Sequence, residues 1–214
     1  IDAAKHGRAL VQGLLQISRV GKVSPAVIDF KDVVERAVLN LEFGIRSSNA
    51  TVSHQELPQV YADFQACVTV LQNLIANSIK FVVTGDQPAV SVTAIQVNDE
   101  WEISVLDNGI GIAPRHATAV FQIFRRLDTA RPGTGVGLAT CKKIVEAHGG
   151  RIWVAPSGAG TLIRFTLPVV PDEKHIASRG QSTGCQSGDT VPICISEAVQ
   201  HQRRDKRFCG TSFL

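Results

Sequence analysis

No two of the five cysteines, Cys67, Cys141, Cys185, Cys194 and Cys209, stand in a C-x-x-C pair, and their odd number would leave one over from any complete pairing. Neither a disulfide framework nor a zinc site is expected, and reduced thiols in a cytoplasmic chain are. No apolar run approaches the roughly 18 residues of a membrane-spanning helix, so membrane contact is not indicated. The opening stretch IDAAKHGRAL lacks a continuous apolar core and a cleavage pattern, which speaks against a secretory signal. One sign of charge barely exceeds the other: 22 basic against 19 acidic residues leave a formal +3, too little to point to nucleic acid. Charged residues make up only 19% against 44% hydrophobic, a balance that excludes full disorder. Internal repeats are absent. So is the P-loop signature G-x-x-x-x-G-K-[ST], since the only Gly-Lys pair, Gly21-Lys22, is followed by Val23. The glycines at 133, 135 and 137 are spaced G-x-G-x-G with no strand directly before them, which argues against a Rossmann site.

What is present divides into three zones. Residues 1–21 read as one helix, with Ala3, Leu10, Leu14 and Ile17 on a single stripe that wants a partner, ending near Gly21, Ser24 and Pro25. Residues 22–170 form the compact zone. Helices are predicted over 29–45, 64–82, 114–124 and 137–147, the last stopped by His148-Gly149-Gly150. Strands are predicted at 51–54, 59–62, 90–97, 101–106, 151–154 and 161–167. That alternation predicts an α+β, two-layer sandwich: a mixed, mostly antiparallel sheet with helices on one face. Residues 171–214 are rich in Ser, Gly, Gln, Arg and Asp without periodicity and read as a flexible tail. Its basic run, Arg203 to Arg207, suits a solvated tail better than an acidic partner.

Three stretches carry candidate chemistry. On the helix at 64–82, Asn77 lies about 40° from Asn73 and Lys80 about 20° to the other side, while Leu71, Leu74, Ile75 and Ile79 fill the opposite half. This polar stripe is either a solvated face or a metal–phosphate face. In the second case an Asn oxygen would suit Mg²⁺ and Lys80 a phosphate. Asp107-Asn108-Gly109-Ile110-Gly111 is either a turn or a site for a flat ring. There Asp107 would accept from an exocyclic amino group, Gly109 and Gly111 would allow close approach, and Ile110 and Ile112 would give apolar contact. Pro132 to Leu138 opens a helix with exposed backbone N–H groups, either a phosphate site or a flexible turn. Between the last two, Phe121 and Phe124 suit a core, and Arg125 and Arg126 face phosphate or water.

The order of these elements resembles the ATP-binding catalytic domain of sensor histidine kinases, a Bergerat-type ATPase fold. LQNLIANSIKF resembles the family's N box, DNGIGIA its first glycine box, VFQIFRRL its F box, and GTGVGLATCKKIVEAHGGRIWV its second glycine box; GAGTLIRFTLP resembles the closing strand. The wording of RRLDTARPGTGVGLATCKKIVEAHGGRIWV is most similar to the phytochrome-like subgroup. The likeness covers about residues 25 to 168.

The resemblance implies ATP and Mg²⁺ as ligands. Asn77 would hold the metal, Asn73 would orient metal-bound water or phosphate, and Lys80 would meet phosphate. Asp107 would bind the adenine amino group, directly and through water shared with Thr161, in a pocket edged by Gly109, Gly111 and Ile112. Residues from about Arg125 to Thr134 would be a mobile lid, hinged at Gly133, Gly135 and Gly137, which would also bind phosphates; Phe124, Arg126, Thr134 and Val136 would contact the nucleotide and Leu138 would pack beneath it. Asn73 stands where the gyrase, HSP90 and MutL branch has a water-activating Glu, which favours transfer to a histidine over hydrolysis. The implied partners are a dimerisation and phosphoacceptor hairpin, a second copy of the full-length kinase and a response-regulator receiver domain. The family's acceptor His is followed by Glu or Asp and, soon after, Pro. His6 is followed by Gly7 and Arg8, and the other histidines lie in other contexts. The acceptor is therefore expected outside this chain, with residues 1–20 resembling the second helix of the hairpin. The rival expectation is a nucleotide-binding regulatory module without transfer activity.

Overall fold

The computed structural model describes residues 23–128, 131 and 133–170. The helix expected at 1–21 and the tail expected at 171–214 lie outside the described residues. In chain order the elements are β1 (Ala26–Asp29), α1 (Phe30–Asn40), α2 (Glu42–Ser47), β2 (Thr51–His54), β3 (Gln59–Ala62), α3 (Phe64–Lys80), β4 (Ala89–Val97), β5 (Glu100–Asp107), α4 (Gly137–Ala147), β6 (Ile152–Ala155) and β7 (Leu162–Pro168). Five strands form one sheet in the order β2-β4-β5-β7-β6, and β1 pairs with β3 separately. Only the β2–β4 pairing in the larger sheet is parallel; the others are antiparallel. The fold is the expected α+β sandwich.

Helices α1 and α3 start where side chains satisfy their first N–H groups. Asp29 accepts from Lys31 ahead of α1 and Asp63 from Ala66 ahead of α3, each such cap contributing about 1 kcal/mol. Helix α4 ends as its glycines predict: Gly149 N–H bonds Glu146 and Gly150 N–H bonds Val145, the Schellman arrangement. His148, the residue between, ties two helices together. Its Nδ1 lies 2.8 Å from the Ile144 carbonyl oxygen, which only accepts, so Nδ1 donates. Its Nε2 then accepts from the Asp63 N–H at 2.9 Å.

The core lies between the sheet and α1, α3 and α4. Phe30 and Val33 of α1, Leu71, Leu74 and Ile75 of α3, and Cys141 and Ile144 of α4 are almost fully buried against Val92, Ile103, Phe165 and Leu167 of the sheet. The rings of Phe30 and Phe165 meet at 6.3 Å. Burial pushes both core thiols, Cys67 and Cys141, up to about 12. On the sheet's other face Arg164 pairs with Glu102 at 2.9 Å across β5 and β7.

Three expectations change. The helix predicted over 29–45 breaks at Leu41, whose backbone leaves the helical region and divides α1 from α2. Strand β1 has no alternating signature of its own and exists through pairing with β3 from Ala26↔Ala62 to Asp29↔Gln59. The helix predicted over 114–124 is two 3-10 turns, Pro114–His116 and Ala119–Phe121. Gln122 is extended and Phe124 has φ 64°, because the Phe124 N–H bonds the Gly135 carbonyl rather than a helical one.

Candidate functional site

Helix α3 buries its leucine and isoleucine half, so its opposite stripe faces a cleft of about 270 Å³ lined by Asn73, Asn77 and Lys80. The other predicted residues arrive from four further places. The end of β5 and the turn after it bring Asp107, Gly111 and Ile112; the segment before α4 brings Arg126, Gly133, Thr134 and Gly135. The start of α4 brings Gly137 and Leu138, and the residue just before β7 is Thr161. Gly109, Phe124 and Val136 do not line the cleft. A Cβ on Gly109 would sit 2.7 Å from the Phe81 carbonyl oxygen, so that glycine admits the end of α3 rather than a ring. Phe124 has a half-exposed side chain and contributes its backbone bond to Gly135. Val136 is buried as the residue that precedes α4.

Two polar centres border the cleft. The first is Asp107. Its Oδ1 accepts the N–H groups of Gly109 at 2.9 Å and Thr161 at 2.8 Å, and its Oδ2 accepts the Ser78 hydroxyl at 2.8 Å. A carboxylate offers about four acceptor sites, so one on Oδ2 stays open. Thr161 meets Asp107 through its backbone in both directions, since its carbonyl also takes the Asp107 N–H. The second centre is cationic. Burial and the Arg126 guanidinium, with Arg131 beside them, push the Lys80 ammonium below its ordinary range, against the opposing pull of Asp128. Lys80 Nζ lies 4.6 Å from the Phe81 ring centre, and the Arg131 guanidinium lies 5.6 Å from it. Arg131 also donates to the carbonyls of Lys80 and Val82 at the end of α3 and pairs with Asp128 at 3.5 Å. Arg126 donates to the Arg131 carbonyl at 2.7 Å.

The two amides line the same cleft. The Asn73 Nδ2 donates to the Thr69 carbonyl at 2.9 Å, and its Oδ1 faces Gly137, where a Cβ would come within 2.7 Å. No hydrogen bond to the Asn77 amide is found among the described residues. A free amide oxygen beside a cationic wall fits a magnesium ion that keeps most of its waters and arrives with a phosphate ligand. No group of three or more His, Cys, Asp or Glu able to hold a metal exists among the described residues, so a cage built wholly from the protein does not fit. Val136 supplies no side-chain cap to α4, which leaves first-turn N–H groups for an anion.

Sequence reasoning gave no role to Ser78 or Phe81 and placed Arg131 only within the lid expected over about 125–134. Ser78 is the one with a legible signal, a hydroxyl set among apolar helix positions. None of the described histidines, His54, His116 and His148, lines the cleft.

The family described as "Histidine kinase-, DNA gyrase B-, and HSP90-like ATPase" matches residues 62–171. Cyanobacterial phytochrome A of Nostoc sp. is 40% identical over 184 residues, covering 82% of this chain and 24% of the relative. The phytochrome-like protein Cph1 of Synechocystis sp. is 40% identical over 179 residues, covering 79% and 24%. The chain thus spans about a quarter of the length of these relatives. Among solved structures, a mycobacterial sensor histidine kinase, MprB, superposes with a TM-score of 0.58 at 28% identity, covering 70% of this chain and 100% of that one. No described helix is long and apolar enough to cross a membrane.

Proposed function

Because the chain belongs to the family of histidine kinase-, DNA gyrase B- and HSP90-like ATPases, we propose that it binds Mg-ATP and donates the γ-phosphate to a histidine on a dimerisation segment of a sensor kinase. The observation that carries this reading is one cleft lined by an open acceptor at Asp107, a cationic group at Lys80 and the Asn77 amide, for which no hydrogen bond is found among the described residues. Asp107 takes the adenine amino group. Lys80, Arg126 and the first turn of α4 take phosphate oxygens, and triphosphate charge relieves the crowding of cations at Lys80. Asn77 holds the magnesium ion, which supplies charge neutralisation on the phosphates.

In the transfer the acceptor imidazole nitrogen forms a bond to the γ-phosphorus as the bond from that phosphorus to the β–γ bridging oxygen breaks, and ADP leaves. The chain's own residues orient and neutralise; no histidine of the described residues reaches the cleft, so the acceptor comes from elsewhere. Hydrolysis is disfavoured. Asn73 is an amide and cannot serve as a base, and the two carboxylates lining the cleft are engaged, Asp107 with three donors and Asp128 with Arg131. A receiver domain is the proposed onward acceptor.

Calorimetric titration with ATP, with and without Mg²⁺, tests binding. Asn77→Ala is expected to abolish the magnesium-dependent part while the circular dichroism spectrum stays native. Adding a dimerisation hairpin of the family is expected to yield phosphohistidine. Binding without any transfer would leave a regulatory nucleotide module, and equal affinity in Asn77→Ala would remove Asn77 from the site.

A further inference from the structure

Ser78 is 4% exposed, on the inward side of α3, and it lines the cleft. A serine within a helix ordinarily returns its proton to the carbonyl four residues back, and Leu74 O is in place at 3.1 Å. The Asp107 Oδ2 is nearer, at 2.8 Å. A hydroxyl has one proton, and the bond to an ionised acceptor is roughly twice as strong as one between neutral groups. The proton therefore goes to Asp107.

Two consequences follow at the cleft. Three donors, from Ser78, Gly109 and Thr161, hold the carboxylate in one orientation and leave a single acceptor site on Oδ2. The Ser78 oxygen, its proton spent on Oδ2, keeps only lone pairs. The one proton between Oδ2 and the Ser78 oxygen, 2.8 Å apart, is spent, so this edge of the cleft offers acceptors and no free donor.

Resting on the nucleotide reading above, we propose that Ser78 is a positioning residue that makes the cleft select a 6-amino purine over a 6-keto purine. An exocyclic amino group brings an N–H donor to the one acceptor site that Ser78 leaves open on Oδ2. A keto oxygen brings only a further acceptor, and its burial there goes uncompensated. Without the hydroxyl, Oδ2 has two open sites and the carboxylate loses the contact that sets its orientation, so water can bridge it to either base.

The test measures Mg-ATP and Mg-ITP affinity by calorimetry for the wild type and Ser78→Ala. Inosine keeps the purine ring and replaces the 6-amino group by a keto oxygen. Alanine removes only the hydroxyl and is the better helix former. Hydrogen bonds to charged groups are worth enough that the ATP-over-ITP preference is expected to fall about tenfold in Ser78→Ala, through loss of ATP affinity with ITP affinity unchanged. In an Asp107→Asn background the same substitution is expected to change the preference much less, because the carboxylate it positions is gone. A preference unchanged in Ser78→Ala, or equal losses for both nucleotides, overturns the inference and leaves the nucleotide site standing. A wild type that binds neither nucleotide overturns the site and the inference together.

Discussion

Gly160 and Gly149 both have left-handed backbones, with φ 68° and 79°, yet alanine at the two positions should have very different effects. A Cβ at Gly149 meets nothing within 4 Å. The substitution there costs only the left-handed conformation of a non-glycine residue, about 1 to 2 kcal/mol. A Cβ at Gly160 would stand 1.7 Å from the Asp107 carbonyl oxygen and 3.0 Å from the Asn108 Cα. An ordinary non-bonded contact is about 3.5 Å, so the two backbones must part by roughly 1.5 to 2 Å. They resist this, because the Asp107 N–H is bonded to Thr161 at 2.9 Å and β5 is paired with β7 along its length. Overpacking of this kind adds about 1 to 3 kcal/mol, for a total of about 2 to 5 kcal/mol with the conformational cost. At about 2 to 4 °C per kcal/mol for a chain of this size, Gly160→Ala should melt roughly 4 to 20 °C below the wild type, and Gly149→Ala roughly 2 to 8 °C below it. The displaced backbone carries the Asp107 carboxylate with it, so Gly160→Ala should also weaken Mg-ATP while Gly149→Ala leaves it unchanged. Thermal unfolding by circular dichroism and a nucleotide titration read both effects. Equal melting temperatures with equal affinities would refute the reasoning about the contact between Gly160 and β5.

Removing the Lys80 charge should help the empty protein and harm the loaded one. Its pKa is below the ordinary 10.5 in the folded chain, so the unfolded state holds the proton more tightly, and stability rises with pH through the folded value toward 10.5. Lys80→Met should lose that alkaline rise in melting temperature and bind Mg-ATP more weakly; an unchanged rise would show that Lys80 is not crowded by Arg126 and Arg131. At the acid end, burial would raise the Asp63 carboxyl, but the N–H groups of Ser24 and Ala66 and the neighbouring His148 outweigh it and hold it below 3.8. Its stabilisation is present above 3.8 and lost as pH falls through the lower folded value. Asp63→Asn, an equally good helix cap, should flatten the fall in urea midpoint below about pH 4. Cys67 and Cys141, with thiols pushed up to about 12, should resist iodoacetamide at pH 8 until the chain is unfolded, as mass spectrometry of the two peptides would show.

Local patterns foretold much of this protein. The spacing of Asn73, Asn77 and Lys80 on one helical stripe places them together whatever the rest of the chain does, and all three line the cleft. Strands β2 and β3, helix α4 and its glycine stop were likewise written in short-range alternation, helical period and turn chemistry. What the tertiary structure decided depends on partners far along the chain. Strand β1 exists because β3 pairs with it. The stretch around Phe124 leaves the helix because Gly135 accepts its N–H. On a helical wheel Ser78 falls about 140° from Asn73, among the core leucines, and only the arrival of Asp107, 29 residues later, turns its hydroxyl into part of the site. Arg131 closes on carbonyls about fifty residues before it, and Gly160 must be glycine because of the Asp107 backbone. Period and turn chemistry act between neighbours and are readable in one dimension. A hydrogen bond or a steric contact between distant segments is created by the packing of α3 against the sheet, and no local pattern encodes which atoms that packing brings together.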